Sequence, residues 1–110
     1  MKEQFILHGW MSSALGLRGN ELLVFAYLFD DIDRDGYCVA SLYQIAQSIN
    51  VSVDTARTLT NNLANYNMIT KDKYYNKDNR VVGCIYKLSD YFVEFLYKEG
   101  IWYKEECNNE

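Results

Sequence analysis

The chain has 110 residues, a formal net charge of −4, a hydrophobic fraction of 49% and an aromatic fraction of 15%, which fits one folded domain and excludes a disordered chain. No apolar run approaches the roughly 18 residues that a membrane-spanning helix needs. The N-terminal segment also lacks the long apolar stretch of a signal peptide, so we expect a cytoplasmic protein with no membrane contact.

The first strong pattern along the chain predicts a buried helix that begins at about Asn20. Asn20 is suited to the N-cap position, and Glu21 in the first turn suits the helix dipole. Apolar residues then recur at helical spacing, at Leu22, Phe25, Ala26 and Phe29. Asp35-Gly36 has the chemistry of a turn, which should end this helix, and a short extended stretch follows over Tyr37 to Val39.

Two shorter helices follow in quick succession. Ser41 is a suitable cap for a helix from Leu42 to about Ile49, and Asn50 is suited to a left-handed position at its end. Ser52 then caps a third helix from Val53 to about Asn65. Because only two residues join these helices, they must cross steeply, which is the arrangement of a helix-turn-helix.

The pattern changes to strands after the third helix. Residues 68–75 and 80–88 are rich in strand-forming side chains, and the turn-like sequence Asn-Lys-Asp-Asn separates them, which predicts a hairpin. Ser89 or Asp90 should cap a last helix, which Gly100 either kinks or ends. Its expected apolar anchors are Tyr91, Phe92, Phe95, Leu96, Ile101 and Trp102.

This order of elements predicts an α+β, mainly α fold, namely a winged helix-turn-helix. It comprises a three-helix core, a two- to three-stranded wing and an extra C-terminal helix. We expect residues 15–88 to form the domain, residues 1–14 to be an extension that packs on the domain or on a partner, and residues 89–110 to be a C-terminal helix with an acidic tail.

The stretch from Asp33 to Ile69 resembles bacterial winged-helix proteins that carry a D-G-x-C-x-P-S signature before the second helix. The matching residues are Asp35-Gly36, Cys38, Ser41, Ile45-Ala46, Val51-Ser52 and Thr55, whereas Ala40 replaces the usual proline and Asn67-Met68 replaces the usual glycine before the final isoleucine. Residues 9–29 are similar to the start of phage, plasmid and mobile-element proteins of low-GC Gram-positive bacteria, including replication initiators and replisome organisers. The resemblance covers roughly residues 5–88 and implies DNA binding in replication initiation or transcription regulation.

The third helix is the candidate reading helix. Recognition helices present short polar side chains and arginine to base edges and phosphates. With Ala56, Leu59 and Leu63 facing inward, Arg57 could contact a guanine edge or a phosphate and Asn61 could pair with adenine. The full set of outward candidates is Val53, Asp54, Thr55, Arg57, Thr58, Asn61 and Asn62. The alternative is an ordinary solvated helix face.

The hairpin adds basic residues to this candidate surface. Lys73, Lys77 and Arg80 are suited to phosphate or minor-groove contacts, and the last two lie nearest the predicted tip. Tyr43 and Gln44, early in the second helix, could touch phosphates or simply fill the surface. Residues 51–90 carry six basic and four acidic side chains, whereas the segments before and after are both net negative.

Metal and catalytic sites find little support in the sequence. Asp31, Asp33 and Asp35 with the following glycine resemble half of a calcium loop, but Leu42 stands where the required bidentate carboxylate belongs. Cys38, Cys84 and Cys107 are far apart and His8 is alone, so we expect reduced thiols and no zinc site. No catalytic constellation is visible, and we expect neither enzymatic activity nor a cofactor.

The sequence therefore predicts a winged-helix protein that reads double-stranded DNA with its third helix and wing. The alternative is a protein-interaction module of a replication or regulatory complex that does not contact DNA directly. We expect a homodimer formed by the aromatic C-terminal helix and by the N-terminal segment around Phe5 and Trp10, because together they present more aromatic surface than a small monomer easily buries.

Overall fold

The computed structural model describes residues 4–103, and these form five helices and a three-stranded antiparallel sheet. In chain order the elements are α1 Gly9–Ser13, α2 Gly19–Asp35, β1 Cys38–Ala40, α3 Leu42–Ile49, α4 Val53–Asn65, β2 Ile69–Tyr75, β3 Val81–Leu88 and α5 Asp90–Lys98. The predicted fold is confirmed: α2, α3 and α4 make the core, and the β2–β3 hairpin is the wing. Among the described residues, no helix is both long enough and apolar enough to cross a membrane.

Helix α2 is the centre of the core, because most of its circumference is covered by other elements. Val24, Phe25 and Leu28 are completely buried on it. The predicted N-cap at Asn20 is wrong: the helix begins at Gly19, with Arg18 as an N-cap whose side chain makes no capping hydrogen bond. The first helical hydrogen bond runs from the Leu22 amide to the Arg18 carbonyl, and Gly19 has a φ of 56°, a left-handed conformation that glycine adopts readily. The predicted end is confirmed, since Gly36 closes the helix with a φ of 92°.

The helix-turn-helix forms where its caps predict it. Ser41 and Gln44 make a reciprocal capping box at the start of α3, and Asn50 ends that helix in the left-handed conformation. The Ser52 side chain then accepts a hydrogen bond from the amide of Thr55 at the start of α4. Each cap fixes a helix end through contacts within about four residues, so the turn between the helices is defined locally.

The sheet has the order β1-β3-β2 and extends the hairpin with the short strand that precedes α3. Ala40 pairs with Cys84, and Lys71 pairs with Tyr86. At Gly83 a Cβ atom would lie 3.0 Å from the Ala40 carbonyl oxygen, so only glycine allows β1 and β3 this close approach. The inner face of the sheet covers the helices with Tyr86 and Leu88, both of which are buried.

The chain before α2 packs against the core. Met11 of α1 is completely buried, and the Trp10 ring meets the edges of Phe25 and Phe29 at centroid distances of 6.1 and 5.1 Å. The Phe5 ring contacts Tyr27 in the same edge-on manner at 5.7 Å. The aromatic side chains of this segment therefore contribute to the domain's own core.

The chain after the wing covers the other side of α2. Ser89 caps α5, and the helix ends at Lys98, shortly before Gly100, which has a φ of 74°. Trp102 then folds back to within 5.9 Å of the Phe29 ring. The prediction that Tyr91 is an apolar anchor of α5 is wrong. Tyr91 is 67% exposed because Phe92 and Leu96 occupy the buried side of the helix. Residues 104–110, with the predicted acidic tail and Cys107, lie outside the described residues.

Candidate nucleic-acid interface

The first two turns of α4 present a continuous polar surface. Ala56 and Leu63 are completely buried on the inner side, whereas the side chains on the opposite side are exposed. These exposed residues are Val53, Asp54, Thr55, Arg57, Thr58 and Asn61. Because the amphipathic pattern places the short polar residues together, six of the seven predicted candidates on this helix share one accessible face.

Arg57 is the principal cation of this face. Its guanidinium forms an ion pair with the Asp54 carboxylate one turn earlier, and both side chains are at least half exposed. An exposed pair of this kind contributes only about 0.2–1 kcal/mol. Arg57 can therefore exchange Asp54 for a phosphate or a guanine edge at small cost, while Asp54 holds it in place in the free protein.

Lys71 joins the wing to α4. Its ammonium group donates hydrogen bonds to the Thr60 hydroxyl at 2.8 Å and to the Asn61 side-chain carbonyl at 3.1 Å. Burial lowers the pKa of Lys71, and the nearby positive charge of Arg57 lowers it further, although the Cys84 thiol acts in the opposite direction. This contact fixes the Asn61 amide group by its oxygen and leaves its two N–H donors outside the contact.

The sequence did not single out Lys71 as a site residue, although a signal for it exists. Side chains alternate between the two faces of a strand, and Lys71 lies two residues after the buried Ile69. It therefore belongs to the face of β2 that meets the helices. Thr60, its partner, is completely buried, and its hydroxyl donates in turn to the Arg57 carbonyl at 3.1 Å.

Asn62 lies apart from the other candidates. Its side-chain amide donates to the Glu21 carboxylate at 3.1 Å, and the Tyr66 hydroxyl donates to the same oxygen at 2.9 Å. Asn62 is half-buried against the start of α2 because it follows Leu59 by three residues, which places it at the edge of the buried stripe.

The wing carries Lys71 and Lys73 on one side and Lys77 and Arg80 at its tip, whereas Lys87 lies on the opposite side of β3. Lys73 follows Lys71 by two residues and shares its face of β2, whereas Asp72 projects from the opposite face. At the tip the Asn76 side chain accepts hydrogen bonds from the amides of Asp78 and Arg80, at 2.9 and 3.0 Å. This turn has a defined backbone that carries Lys77 and Arg80, both exposed.

Both predicted contact residues of α3 already take part in bonds within that helix. The Gln44 side-chain carbonyl accepts from the Ser41 amide at 2.9 Å, which uses its oxygen in the capping box. The Tyr43 hydroxyl accepts a hydrogen bond from the Gln47 side chain one turn later. Tyr43 and Gln44 are exposed, so each retains a donor group that can reach a ligand.

The acidic segment resembling a calcium loop is organised by an arginine. The Arg34 guanidinium contacts Asp31 at 3.0 Å and Asp35 at 2.9 Å, and its hydrogen bonds to Asp35 hold the pKa of that carboxyl below its usual range. All three residues belong to α2, so this part of the chain is helical. Within residues 4–103 there is no group of three side chains suited to hold a metal ion.

The inner face of the sheet also holds the two cysteines of the described region, Cys38 and Cys84, which form no disulfide. Tyr86 pairs with Cys38 across the strands and lies two residues after Cys84 on β3. Its buried hydroxyl makes no hydrogen bond of standard geometry and has Thr60 and Cys84 as polar neighbours. Burial is the main cause that raises the pKa of Tyr86. The phenol therefore remains neutral beneath α4.

Comparisons with known proteins give a similarity of structure and none of sequence. No family model matches the chain, and no curated protein matches it in sequence. Among solved structures, the chain is similar to a possible transcriptional regulator from Methanosarcina mazei Go1, with a TM-score of 0.57 and 14% sequence identity. The match covers 91% of this chain and 87% of the other, so the two share a fold over most of their lengths.

Proposed function

We propose that this protein is a cytoplasmic DNA-binding regulator that reads duplex DNA with α4 and the wing. The main support is the contact between α4 and the wing, in which Lys71 of β2 donates hydrogen bonds to Thr60 and Asn61. Because of this contact, the exposed face of α4 and the side of the wing that carries Lys71 and Lys73 lie next to each other. A helix in the major groove with a basic hairpin beside it is a common geometry for reading DNA. The similar structure, a possible transcriptional regulator, supports a regulatory role.

The proposed contacts divide by chemistry. Arg57 and Asn61 would read base edges, because guanidinium and amide groups pair with guanine and adenine in the major groove. Lys73, Lys77 and Arg80 would bind phosphates and fix the orientation of the domain. Val53, Thr55 and Thr58 would contact thymine methyl groups or the backbone, with Asp54, Tyr43 and Gln44 at the edge of the surface. Asn62 belongs to the contact with Glu21 and is not included.

For the biological process, we propose replication initiation or transcription regulation of a mobile element. The D-G-x-C signature and the similarity of residues 9–29 favour a protein of a phage, plasmid or other mobile element. Replication initiation and transcription regulation both need a domain that recognises a DNA site, and the proposed surface would serve either.

We also propose that the protein binds DNA as a homodimer. Tyr97 and Tyr103 are 38% and 82% exposed in and after α5, and Ile6 and Leu7 are exposed in the N-terminal segment. A second subunit would cover these side chains and would double the number of basic groups that meet a two-fold symmetric site. This matters because the chain carries a net charge of −4 and gains little attraction to DNA as a whole.

Titration of a fluorescent random duplex at several salt concentrations tests DNA binding. On random DNA, where it finds no specific base, Arg57 would contact a phosphate in addition to Lys73, Lys77 and Arg80. With about four phosphate contacts per domain, the logarithm of the binding constant should fall with the logarithm of the salt concentration with a slope of about −3 to −4 for one domain. Replacing Arg57 with alanine, or Lys77 and Arg80 together, should weaken binding and make the slope shallower by about one per lost contact.

Arg34→Ala is the matched control. It removes the same charge from an exposed arginine that is also paired with aspartate, but at the end of α2. If the protein binds no duplex at low salt, the alternative of a protein-interaction module is favoured. If Arg34→Ala weakens binding as much as Arg57→Ala, the proposed surface is wrong.

A further inference from the structure

A cavity of about 450 Å³ opens between the α1–α2 loop, the end of α4 and α5. Its volume lies in the range of small-molecule sites, roughly 300–1,000 Å³. Most of the lining residues are aliphatic or aromatic, although polar and apolar atoms share the lining surface about equally, and of the described residues that line it Glu21 alone is charged. The lining includes Leu15, Glu21, Tyr66, Tyr91, Phe92 and Phe95.

The Glu21 carboxylate is held in place with one oxygen unused. Its Oε2 atom accepts hydrogen bonds from the Asn62 amide and from the Tyr66 hydroxyl, whereas Oε1 accepts none from residues 4–103. The hydrogen bond to Glu21 is the main cause that raises the pKa of Tyr66, so this phenol stays protonated and remains a donor. The cavity therefore contains a fixed negative charge that is only partly compensated.

The aromatic side chains supply the second half of a cation site. Tyr91, which is mostly exposed, and Phe95, which is half-buried, are the accessible rings, whereas Phe92 is buried and stacks on Phe95 with centroids 5.5 Å apart. The faces of aromatic rings attract ammonium groups, most strongly when the groups carry alkyl substituents and lose little hydration. An uncharged ligand would lack the attraction of Glu21, and an anion would be repelled by it.

We propose that this cavity binds a small organic cation, an ammonium group that carries alkyl substituents. The ammonium group lies beside Glu21 Oε1, and its apolar substituents contact the aromatic wall. Asn62 and Tyr66 lie at the end of α4, and both donate hydrogen bonds to the Glu21 carboxylate of α2. The bound cation therefore alters how α4 packs against α2. The proposal does not depend on DNA binding.

Choline is a suitable probe, and dimethylbutanol, in which a carbon atom replaces the quaternary nitrogen, is its uncharged isostere. We expect choline to produce saturable shifts in nitrogen–proton correlation spectra at the backbone amides of residues 14–17 and at the side-chain amide of Asn62. Dimethylbutanol at the same concentrations should shift these signals far less. Because the protein is observed without DNA, the result is independent of the proposed regulatory function.

Two substitutions of equal charge test the assignment. Glu21→Gln keeps an acceptor for Asn62 and Tyr66 but removes the charge, and should weaken choline binding by about tenfold. Glu94→Gln removes the same charge from α5 at a position that does not line the cavity, and should leave the affinity within about twofold. Tyr91→Ala removes an exposed part of the aromatic wall, and should weaken binding by about threefold without loss of the fold.

The proposal is overturned if choline gives no saturable shift, or if dimethylbutanol gives the same shifts. It is also overturned if Glu21→Gln binds choline as the unaltered protein does, or if Glu94→Gln weakens binding equally. Shifts at the cavity amides without any change at the Asn62 side chain would refute the link to α4.

Discussion

Replacing Lys71 with methionine separates the contribution of the wing–helix contact to stability from its contribution to DNA binding. Methionine keeps most of the length and the apolar stem of lysine but cannot donate hydrogen bonds. The substitution removes the bonds to Thr60 and Asn61, at 2.8 and 3.1 Å, and leaves the rest of β2 unchanged.

The expected loss of stability is small for a specific reason. Two hydrogen bonds from a charged donor would suggest a loss of several kcal/mol, at about 1.5–3 kcal/mol each. The pKa of Lys71 is nevertheless lowered, chiefly by burial, which means that the fold disfavours the charged form despite these bonds. We therefore expect the free energy of unfolding at pH 7 to change by no more than about 1 kcal/mol.

The pH dependence provides a second check. Because the pKa of Lys71 in the folded protein lies below its ordinary value of 10.5, the fold binds fewer protons than the unfolded chain between these two values. As the pH rises through this interval, the unaltered protein should gain stability relative to the methionine variant. Urea unfolding followed by tryptophan fluorescence at several pH values measures this difference.

DNA binding should respond more strongly than stability. Without Lys71 the Asn61 amide and the wing lose their fixed relation, so we expect the affinity for duplex DNA to fall by about tenfold. Lys87→Met is the matched control, since it removes an exposed lysine that shares a face of β3 with Ile85, opposite to Tyr86. A loss of more than about 2 kcal/mol in unfolding free energy, or equal weakening of DNA binding by Lys87→Met, would refute this reasoning.

Three further predictions concern stability and assembly. Tyr86→Phe removes a buried hydroxyl without a standard hydrogen bond and should raise the unfolding free energy by about 1 kcal/mol in urea titrations. Because the pKa of Tyr86 is raised, the unfolded chain releases the phenol proton above pH 10.0 while the folded chain retains it, so the unaltered protein loses stability as the pH rises past 10.0 and the variant should lose less; a variant with an undiminished alkaline decline would contradict this. Ser41→Ala breaks the capping box and should lower the thermal midpoint through a loss of about 1 kcal/mol, whereas an unchanged midpoint would show that the cap contributes little. Tyr103→Glu should shift sedimentation velocity profiles from dimer to monomer at micromolar concentration, and a profile that is monomeric already in the unaltered protein would refute the proposed dimer.

The sequence by itself determined the helix-turn-helix and most helix ends. Ser41, Asn50, Ser52 and Ser89 each occupy the position that the sequence predicts for them, because a cap bonds to backbone groups only two to four residues away. The hairpin was equally predictable, since alternating strand-forming residues on both sides of a polar turn leave few other arrangements. Asn20 is the exception, because the first helical hydrogen bond is accepted by the carbonyl of Arg18, two residues before it.

Only the tertiary structure decided which polar residues of α4 share a surface. Asn61 and Asn62 are adjacent and chemically identical, yet Lys71 of the wing holds one while Glu21 of α2 holds the other, through contacts 10 and 41 residues apart in sequence. Helical periodicity places Asn61 on the outer side and Asn62 at the edge of the buried stripe, and it cannot tell which partner each will meet from a distant element. The same holds for Tyr91, whose exposure depends on how α5 rotates to bury Phe92 and Leu96. A helix cap depends on residues that are neighbours in sequence. The partners of Asn61 and Asn62 and the exposure of Tyr91 depend instead on packing between elements that are remote in the chain.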